Sequence, residues 1–331
     1  MALRRIIPFI LILSSAVFTA FIGRYGIAAG GIDLSPAEYV GIIKLWHIDT
    51  FEGGVGSRKQ FLLSVAAAYE KAHKGTLIMV VSHTADSAKT AMEEGVFPDM
   101  ISYGAGVTLP ELSELPAASS FGGGRVGEKT YAAPWCRGGY VLIENPAYKE
   151  SKKRKDPEAV FSVGRFNDSL TAGALCGNVF NGIAEKAPLA AYVEFVSGRC
   201  RFLFGTQRDI HRLKGRGMDH AATVIEEYND LYQYISVCAK ENKLAAARGF
   251  AEFLLSEKVQ KKLSDIGMFS CFYDVEYDDI TLKALQNAKF EYTVSAFSSE
   301  EFIESLKGLS ANFYGGDGGA VIKIKKLLTL S

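Results

Sequence analysis

The stretch 41–58, GIIKLWHIDTFEGGVGSR, decides how this chain is read. It begins with a short apolar run, Ile42, Ile43, Leu45 and Trp46, that reads as a strand. It then opens into a loop gathering Asp49, Phe51, Glu52, Gly53, Gly54 and Gly56. Ser57 with Gln60 forms an S-x-x-Q capping box, so a helix is predicted to start there. In an open α/β sheet, ligands settle past the carboxyl ends of strands, where helix N-termini aim amide donors at them. A first strand emptying into such a loop marks the predicted ligand site.

Working outward, Phe61, Leu62, Val65, Ala66 and Tyr69 recur at helical spacing, and Gly75 ends that helix. Residues 76–81 (TLIMVV) form a compact apolar strand. Asp86–Glu94 reads as a second helix closed by Gly95, and Pro98-Asp99 lead into a third strand, Met100–Tyr103. This β-α-β-α-β order predicts a parallel sheet with helices packed on it. Gly104–Gly127 reads as loop with one short helix. In residues 129–145, KTYAAPWCRGGYVLIEN, two extended pieces, Thr130–Ala133 and Tyr140–Ile143, are separated by Pro134 and Gly138-Gly139. A broken strand of this kind suits a crossing between two rigid bodies. Lys149–Lys155 is a basic run that reads as a solvated linker. The chain from there to Ser197 is weakly patterned and is expected to be mostly helical.

Further on, Phe202–Phe204 reads as a strand, and Thr206 with Asp209 forms a second capping box. Leu231–Val237 reads as a strand and Leu244–Leu255 as a helix with Ala247, Phe250, Ala251 and Leu254 on one face. Ser256 caps the next helix, which ends at Gly267. Ser298 with Glu301 caps another, and Gly315–Gly319 precedes a last basic amphipathic segment.

With 331 residues the chain is long enough for two domains. Lys plus Arg and Asp plus Glu are both 37, so net charge argues for neither nucleic acid nor an anionic membrane as partner. Residues 1–30 read as an export segment. Arg4 and Arg5 precede an uncharged run to Ile22, with Ser14-Ser15-Ala16 as a small-residue cleavage site. A cleaved signal and a retained anchor with its start inside both satisfy that pattern. No cysteine precedes Cys136, so no lipidated N-terminal cysteine forms. The five cysteines (136, 176, 200, 238 and 271) contain no C-x-x-C, and the five histidines are scattered, so no metal site is expected. GGVGSRK lacks the third glycine of a dinucleotide loop and the Lys-Ser/Thr of a phosphate loop, and there is no G-x-S-x-G. No cofactor is expected.

Four stretches, in order, carry a family likeness: LWHIDTFEGGVGSR with its helix, VFPDMISYG, YAAPWCRGGYVLIENP, and AARGFAEFLLSEKVQKKL. Together they span most of residues 41–265, and the chain resembles an extracellular solute-binding protein of a bacterial ABC importer, of the sugar-binding, maltose-binding-protein-like type. The resemblance implies an α/β, two-lobed periplasmic-binding-protein-like fold. Each lobe would be a mainly parallel sheet flanked by helices, with ligand held between them. The expected lobes are 41–132 plus 238–288 and 133–237 plus 289–331. It further implies a sugar ligand, a membrane ABC permease as partner, a monomer located outside the cytoplasmic membrane, and no catalysis.

A sugar needs carboxylates, hydroxyls and Arg forks around its rim and an aromatic plate beneath. The candidate ligand-binding residues are therefore Asp49, Glu52 and Ser57 in the loop, Arg137 and Arg208 as forks, and Trp46, Tyr103, Trp135 and Tyr232 as plates. Two other readings share these residues. One is a membrane-tethered envelope sensor of the same fold. The other is a glycan-processing enzyme using Glu52 and Asp49 as acid and base, which would need a particular carboxylate separation.

Overall fold

The computed structural model describes residues 39–116, 122–148 and 156–329. The expected export segment and the basic run 149–155 lie outside the described residues. In chain order the first body contains β1 (Gly41–His47), α1 (Arg58–Ala72), β2 (Thr76–Ser82), α2 (Ala85–Glu93) and β3 (Met100–Tyr103). A small hairpin, β4 (Arg125–Val126) and β5 (Lys129–Thr130), leads into β6 (Ala133–Arg137). The second body holds β7 (Tyr140–Glu144), β8 (Ala159–Ser162), α3 (Ser169–Leu175), β9 (Ile183–Lys186), α4 (Pro188–Val196), β10 (Phe202–Thr206), α5 (Gln207–Arg216) and β11 (Ala221–Val224). After β12 (Tyr228–Asn229) the chain returns as β13 (Tyr232–Val237), α6 (Leu244–Leu254) and α7 (Glu257–Gln260). It then closes with α8 (Ile280–Asn287), β14 (Tyr292–Thr293), α9 (Glu300–Tyr314) and α10 (Ala320–Thr329).

The helix starts follow from capping and spacing. Ser57 Oγ accepts from the Gln60 amide at 3.3 Å to start α1, and Thr206 and Asp209 cap α5 reciprocally. The first sheet runs β2-β1-β3-β13-β6 and the second β11-β7-β10-β8-β9. Within each, one strand is reversed: β13 is antiparallel to β3 and β6, and β7 to β10 and β11. These two strands are the ones that begin where the chain crosses. Every other strand of the two sheets ends at the seam between the bodies. The architecture is thus two mainly parallel sheets flanked by helices, with their carboxyl ends facing one seam.

Several local details differ from the sequence reading. Pro134 does not break the strand; it sits inside β6, at the sheet edge beside a bulge in β13, where a missing N–H is tolerated. The chain turns instead at Gly138-Gly139. A Cβ on Gly139 would lie 2.6 Å from Leu285 Cδ2, so the turn is tightly enclosed. Residues 133–137 and 232–237 pair in the first sheet rather than the second, because the crossing strands must belong to the body they leave or enter. Conversely, α8 packs on β11 and α5 of the second body. The segment expected to be mostly helical also carries β8 and β9, whose Ala159, Val160 and Phe161 are fully buried. The helix expected from Ser298 is capped one residue later, by Ser299.

One face of the first sheet, Ile43, Leu45, Ile78 and Val80, packs with Phe61, Leu62 and Val65 of α1. Trp135 belongs to that layer: it is fully buried and stacks on Phe61 at 5.8 Å, with planes 10° apart. Its Nε1–H donates to Ser102 Oγ at 2.9 Å. Replacing it removes a large buried ring and leaves a cavity with an impaired polar network. Trp135→Ala is expected to lower the unfolding free energy by about 3–5 kcal/mol, read from urea titration. A loss below about 1 kcal/mol would contradict this placement.

Candidate functional site

The loop after β1 is held by a buried network centred on Ser102. The indole of Trp135 (2.9 Å) and the side-chain amide of Gln233 (3.1 Å) both donate to Ser102 Oγ. With both lone pairs taken, the Ser102 hydroxyl has its proton to give, and His47 Nδ1 lies 3.1 Å away. His47 therefore carries its proton on Nε2 and donates to Asp49 Oδ1 at 3.1 Å. Arg58, itself buried, also donates from Nε to Asp49 Oδ1 at 2.8 Å, and from Nη2 to the Phe51 carbonyl. Partial burial pushes the Asp49 carboxyl up, but the His47 hydrogen bond and the Arg58 charge outweigh it and hold the group well below the usual carboxylate range. Gln233 ties in the loop backbone as well, donating to the Ile48 carbonyl at 2.9 Å.

Ser102, His47 and Asp49 line up with the residue types of a nucleophilic triad. Ser102 is fully buried and already accepts two hydrogen bonds, so this row fixes a loop and leaves no room for attack.

Across the seam, Glu52 faces α5. Its Oε1 accepts from Arg212 Nη2 at 3.2 Å and its Oε2 lies 3.1 Å from Arg212 Nη1, a two-pronged pair. Arg208 Nε lies 3.4 Å from Glu52 Oε2, and Arg208 Nη1 donates to the Gly54 carbonyl at 2.8 Å. Gly54 is pressed so closely against the second crossing's neighbour that a Cβ would sit 2.2 Å from the carbonyl oxygens of Ile266 and Gly267. At the other edge of the seam, Arg165 forks onto Asp86 of α2 at 2.7 and 2.9 Å and onto Glu300 of α9 at 2.7 Å. These pairs are exposed, so solvent screens them and each contributes little.

Two carboxylates sit at the crossings themselves. Asp230 accepts from the hydroxyls of Tyr140 (2.7 Å) and Tyr228 (3.0 Å) and from the Asp168 amide (3.1 Å). Asp168 caps α3, accepting from the Leu170 amide at 2.8 Å. Both are buried. Burial first, and for Asp168 then the charge of Asp230, raise them well above the usual carboxylate range despite these hydrogen bonds.

The structure sorts the nine predicted residues into three groups. Asp49, Glu52, Ser57 and Arg208 lie at the seam, although Ser57 is engaged as the cap of α1. Trp46, Tyr103 and Trp135, expected as aromatic plates, are core residues of the first body. Trp46 packs on His83 at 4.3 Å, and Tyr103 bonds Ser236 Oγ at 3.1 Å. Their strands bury both faces, and that consumes the rings. Arg137 and Tyr232 line a separate cavity of about 500 Å³ beside the crossings. Arg137 is no free fork: its Nη2 donates to the last carbonyls of α8, Leu285 (2.9 Å) and Gln286 (2.7 Å), between the rings of Phe269 and Phe290. That is where a cation suits a helix dipole.

Sequence reasoning missed His47, Arg58, Ser102, Gln233, Arg165 and Arg212. Arg212 had a signal, standing four residues after Arg208 on one helix face; Arg165 and Asp86 had none. All five cysteines are free thiols, and burial pushes Cys238 and Cys271 up to about 12. Among the described residues no cluster of three or more His, Cys, Asp or Glu is placed to hold a metal, and no helix is long and apolar enough to cross a membrane.

No protein-family model and no curated protein sequence matches the chain. Solved structures do match its shape. The GacH receptor of Streptomyces glaucescens, solved unliganded and with acarbose, is 15% identical with a TM-score of 0.60, over 88% of this chain and 99% of its own. The maltose/maltodextrin-binding domain MalE from Bdellovibrio bacteriovorus, bound to maltotriose, is 12% identical with a TM-score of 0.54, over 88% and 99%. Iron-bound HitA from Pseudomonas aeruginosa is 13% identical with a TM-score of 0.55, over 82% and 99%. The fold is that of the two-lobed periplasmic-binding proteins. Sugar-binding proteins of ABC transporters recur among these neighbours, and HitA shows that the same fold also holds iron.

The Asp168–Asp230 pair sets a pH dependence. A carboxyl raised in the fold binds protons there that the unfolded chain has lost, so stability falls as pH rises from about 4 toward neutrality. Asp49 acts oppositely: its contribution is present above the unfolded value of 3.8 and is lost as pH falls below it. Asp168→Asn keeps a competent helix cap and removes one buried charge. Urea unfolding at pH 5 and pH 8 is expected to show wild type losing stability with pH across that interval, and the variant losing less. An unchanged difference would contradict the assignment.

Proposed function

We propose that this chain is the substrate-capture component of an ABC import system. It binds a small polar solute, of the sugar or oligosaccharide class, at the seam by hinge closure and presents the loaded form to a membrane permease. The protein acts as an exported monomer on the outer side of the cytoplasmic membrane, and performs no catalysis. The observation that carries this reading is the convergence of the eight forward strands of the two sheets on one seam, joined by strands that turn at Gly138-Gly139 and at Asp230. Rotation there parts Glu52 from Arg212 and Asp86 from Arg165 without unpacking either sheet. The carboxylates of Asp49 and Glu52 with the guanidinium of Arg208 at the seam suit hydroxyls that both donate and accept. The sugar-binding neighbours support the same class of ligand.

The test is a thermal-shift panel of mono- and oligosaccharides, with solution scattering on any hit. Ligand at 100-fold its Kd stabilises by about 2.7 kcal/mol, enough to raise the melting temperature by several degrees. One sugar class is expected to do so and to reduce the radius of gyration. A flat panel, including ferric iron as a control ligand, would contradict the reading.

A further inference from the structure

We propose that the solute taken at this seam carries a carboxylate, and that Glu52 occupies the carboxylate's place in the structure described here. The inference rests on the solute-binding reading and specifies its substrate class.

Arg208, Arg212 and Arg216 stand at i, i+4 and i+8, one stripe along α5. The first two converge on the single carboxylate of Glu52, Arg212 through both terminal nitrogens and Arg208 from the side. This is the geometry in which guanidinium forks recognise a free carboxylate, here supplied by the opposite lobe. The receiving side is more than a pair of exposed arginines. Arg212 and Arg216 lie over the ring of Tyr192, at 5.1 and 5.5 Å, and Tyr192 is 3% exposed with a buried hydroxyl that has no hydrogen-bond partner. The buried Nε of Arg208 also lacks a hydrogen-bond partner, since its 3.4 Å approach to Glu52 is an ion pair of poor geometry. The cradle therefore has donor capacity that Glu52 leaves unused.

The charge count points the same way. The carboxylates paired with this stripe are Glu52 and Asp209. Asp209 is committed to α5, accepting the Thr206 amide at 3.0 Å and Arg212 Nη1 at 3.1 Å. When the seam opens, Glu52 leaves with the first lobe and three guanidiniums face one carboxylate. A neutral sugar bound there would leave Arg212 Nη2 without the carboxylate it now has, and Asp209 as the stripe's remaining counter-charge. A sugar acid restores the pairing. Gly53, Gly54 and Gly56 follow Glu52 in the loop, and a Cβ on Gly53 would meet only ordinary contacts, the Gly56 carbonyl at 3.5 Å and Arg58 Nε at 3.9 Å.

The experiment measures binding by calorimetry for galacturonate, digalacturonate and N-acetylneuraminate against galactose, maltose and maltotriose. Wild type, Glu52→Gln, Arg212→Gln and Arg165→Gln are compared, each checked for an unchanged circular dichroism spectrum. At least one acidic sugar is expected to bind more than tenfold tighter than its neutral counterpart. Glu52→Gln removes the internal competitor and should tighten the acidic sugar about tenfold with no gain for neutral ones. Arg212→Gln should abolish the preference. Arg165→Gln loosens the other edge of the seam and should change both classes equally. If Glu52→Gln tightens neutral and acidic sugars alike, Glu52 is only a latch and the inference fails. If a neutral sugar binds well and ignores Arg212→Gln, the inference fails while solute capture stands. If no sugar of either class binds, the capture reading falls with it.

Discussion

A single hydroxyl carries much of this architecture. Ser102 Oγ receives hydrogen bonds from Trp135 on β6 and Gln233 on β13 and passes its own proton to His47 on β1. Four strands of the first sheet, β1, β3, β6 and β13, thus meet at one buried atom. An unsatisfied buried hydroxyl or imidazole would cost about 1–3 kcal/mol, so the arrangement stands or falls together. Its outer end is Asp49, which with Arg58 shapes the loop that reaches the second lobe. The loop that carries Glu52 is thus tied to the core through Ser102, His47, Asp49 and Arg58.

The seam itself is built from different material. Its contacts include ion pairs and closely approached glycine backbones. Each exposed pair contributes little. Arg137 is pinned to the end of α8 and ties the first body to the second. The buried Asp168–Asp230 pair places a second polar cluster where the chain crosses. Buried polar groups thus stand beside both crossings.

The legible parts of the chain were those specified locally. The β1 strand, α1 with its Ser57 cap, the β2 and β3 strands, the Thr206–Asp209 capping box and α6 all carry their signal within a few residues. The glycine pair at 138–139 likewise announced a turn. Asp49, Glu52 and Arg208 are expected at a site because carboxylates and a guanidinium stand at strand ends and a capped helix, and the structure places them at the seam. β8 and β9 were hidden because four-residue strands in a weakly patterned segment have no period long enough to register. Pro134 misled because an edge position tolerates what a central strand would not.

By itself the sequence determined an α/β chain with its first βαβαβ unit, a crossing near residues 133–139, and a polar loop after the first strand. Only the tertiary structure decided which aromatic rings are plates and which are core. It buried Trp46, Tyr103 and Trp135, sent Arg137 to a helix end, and set Arg212 opposite Glu52. The reason is physical: a strand's period says which residues share a face, but not whether that face meets solvent, a helix or the other lobe. Contacts between residues 160 positions apart, such as Glu52 with Arg212, leave no trace in local pattern.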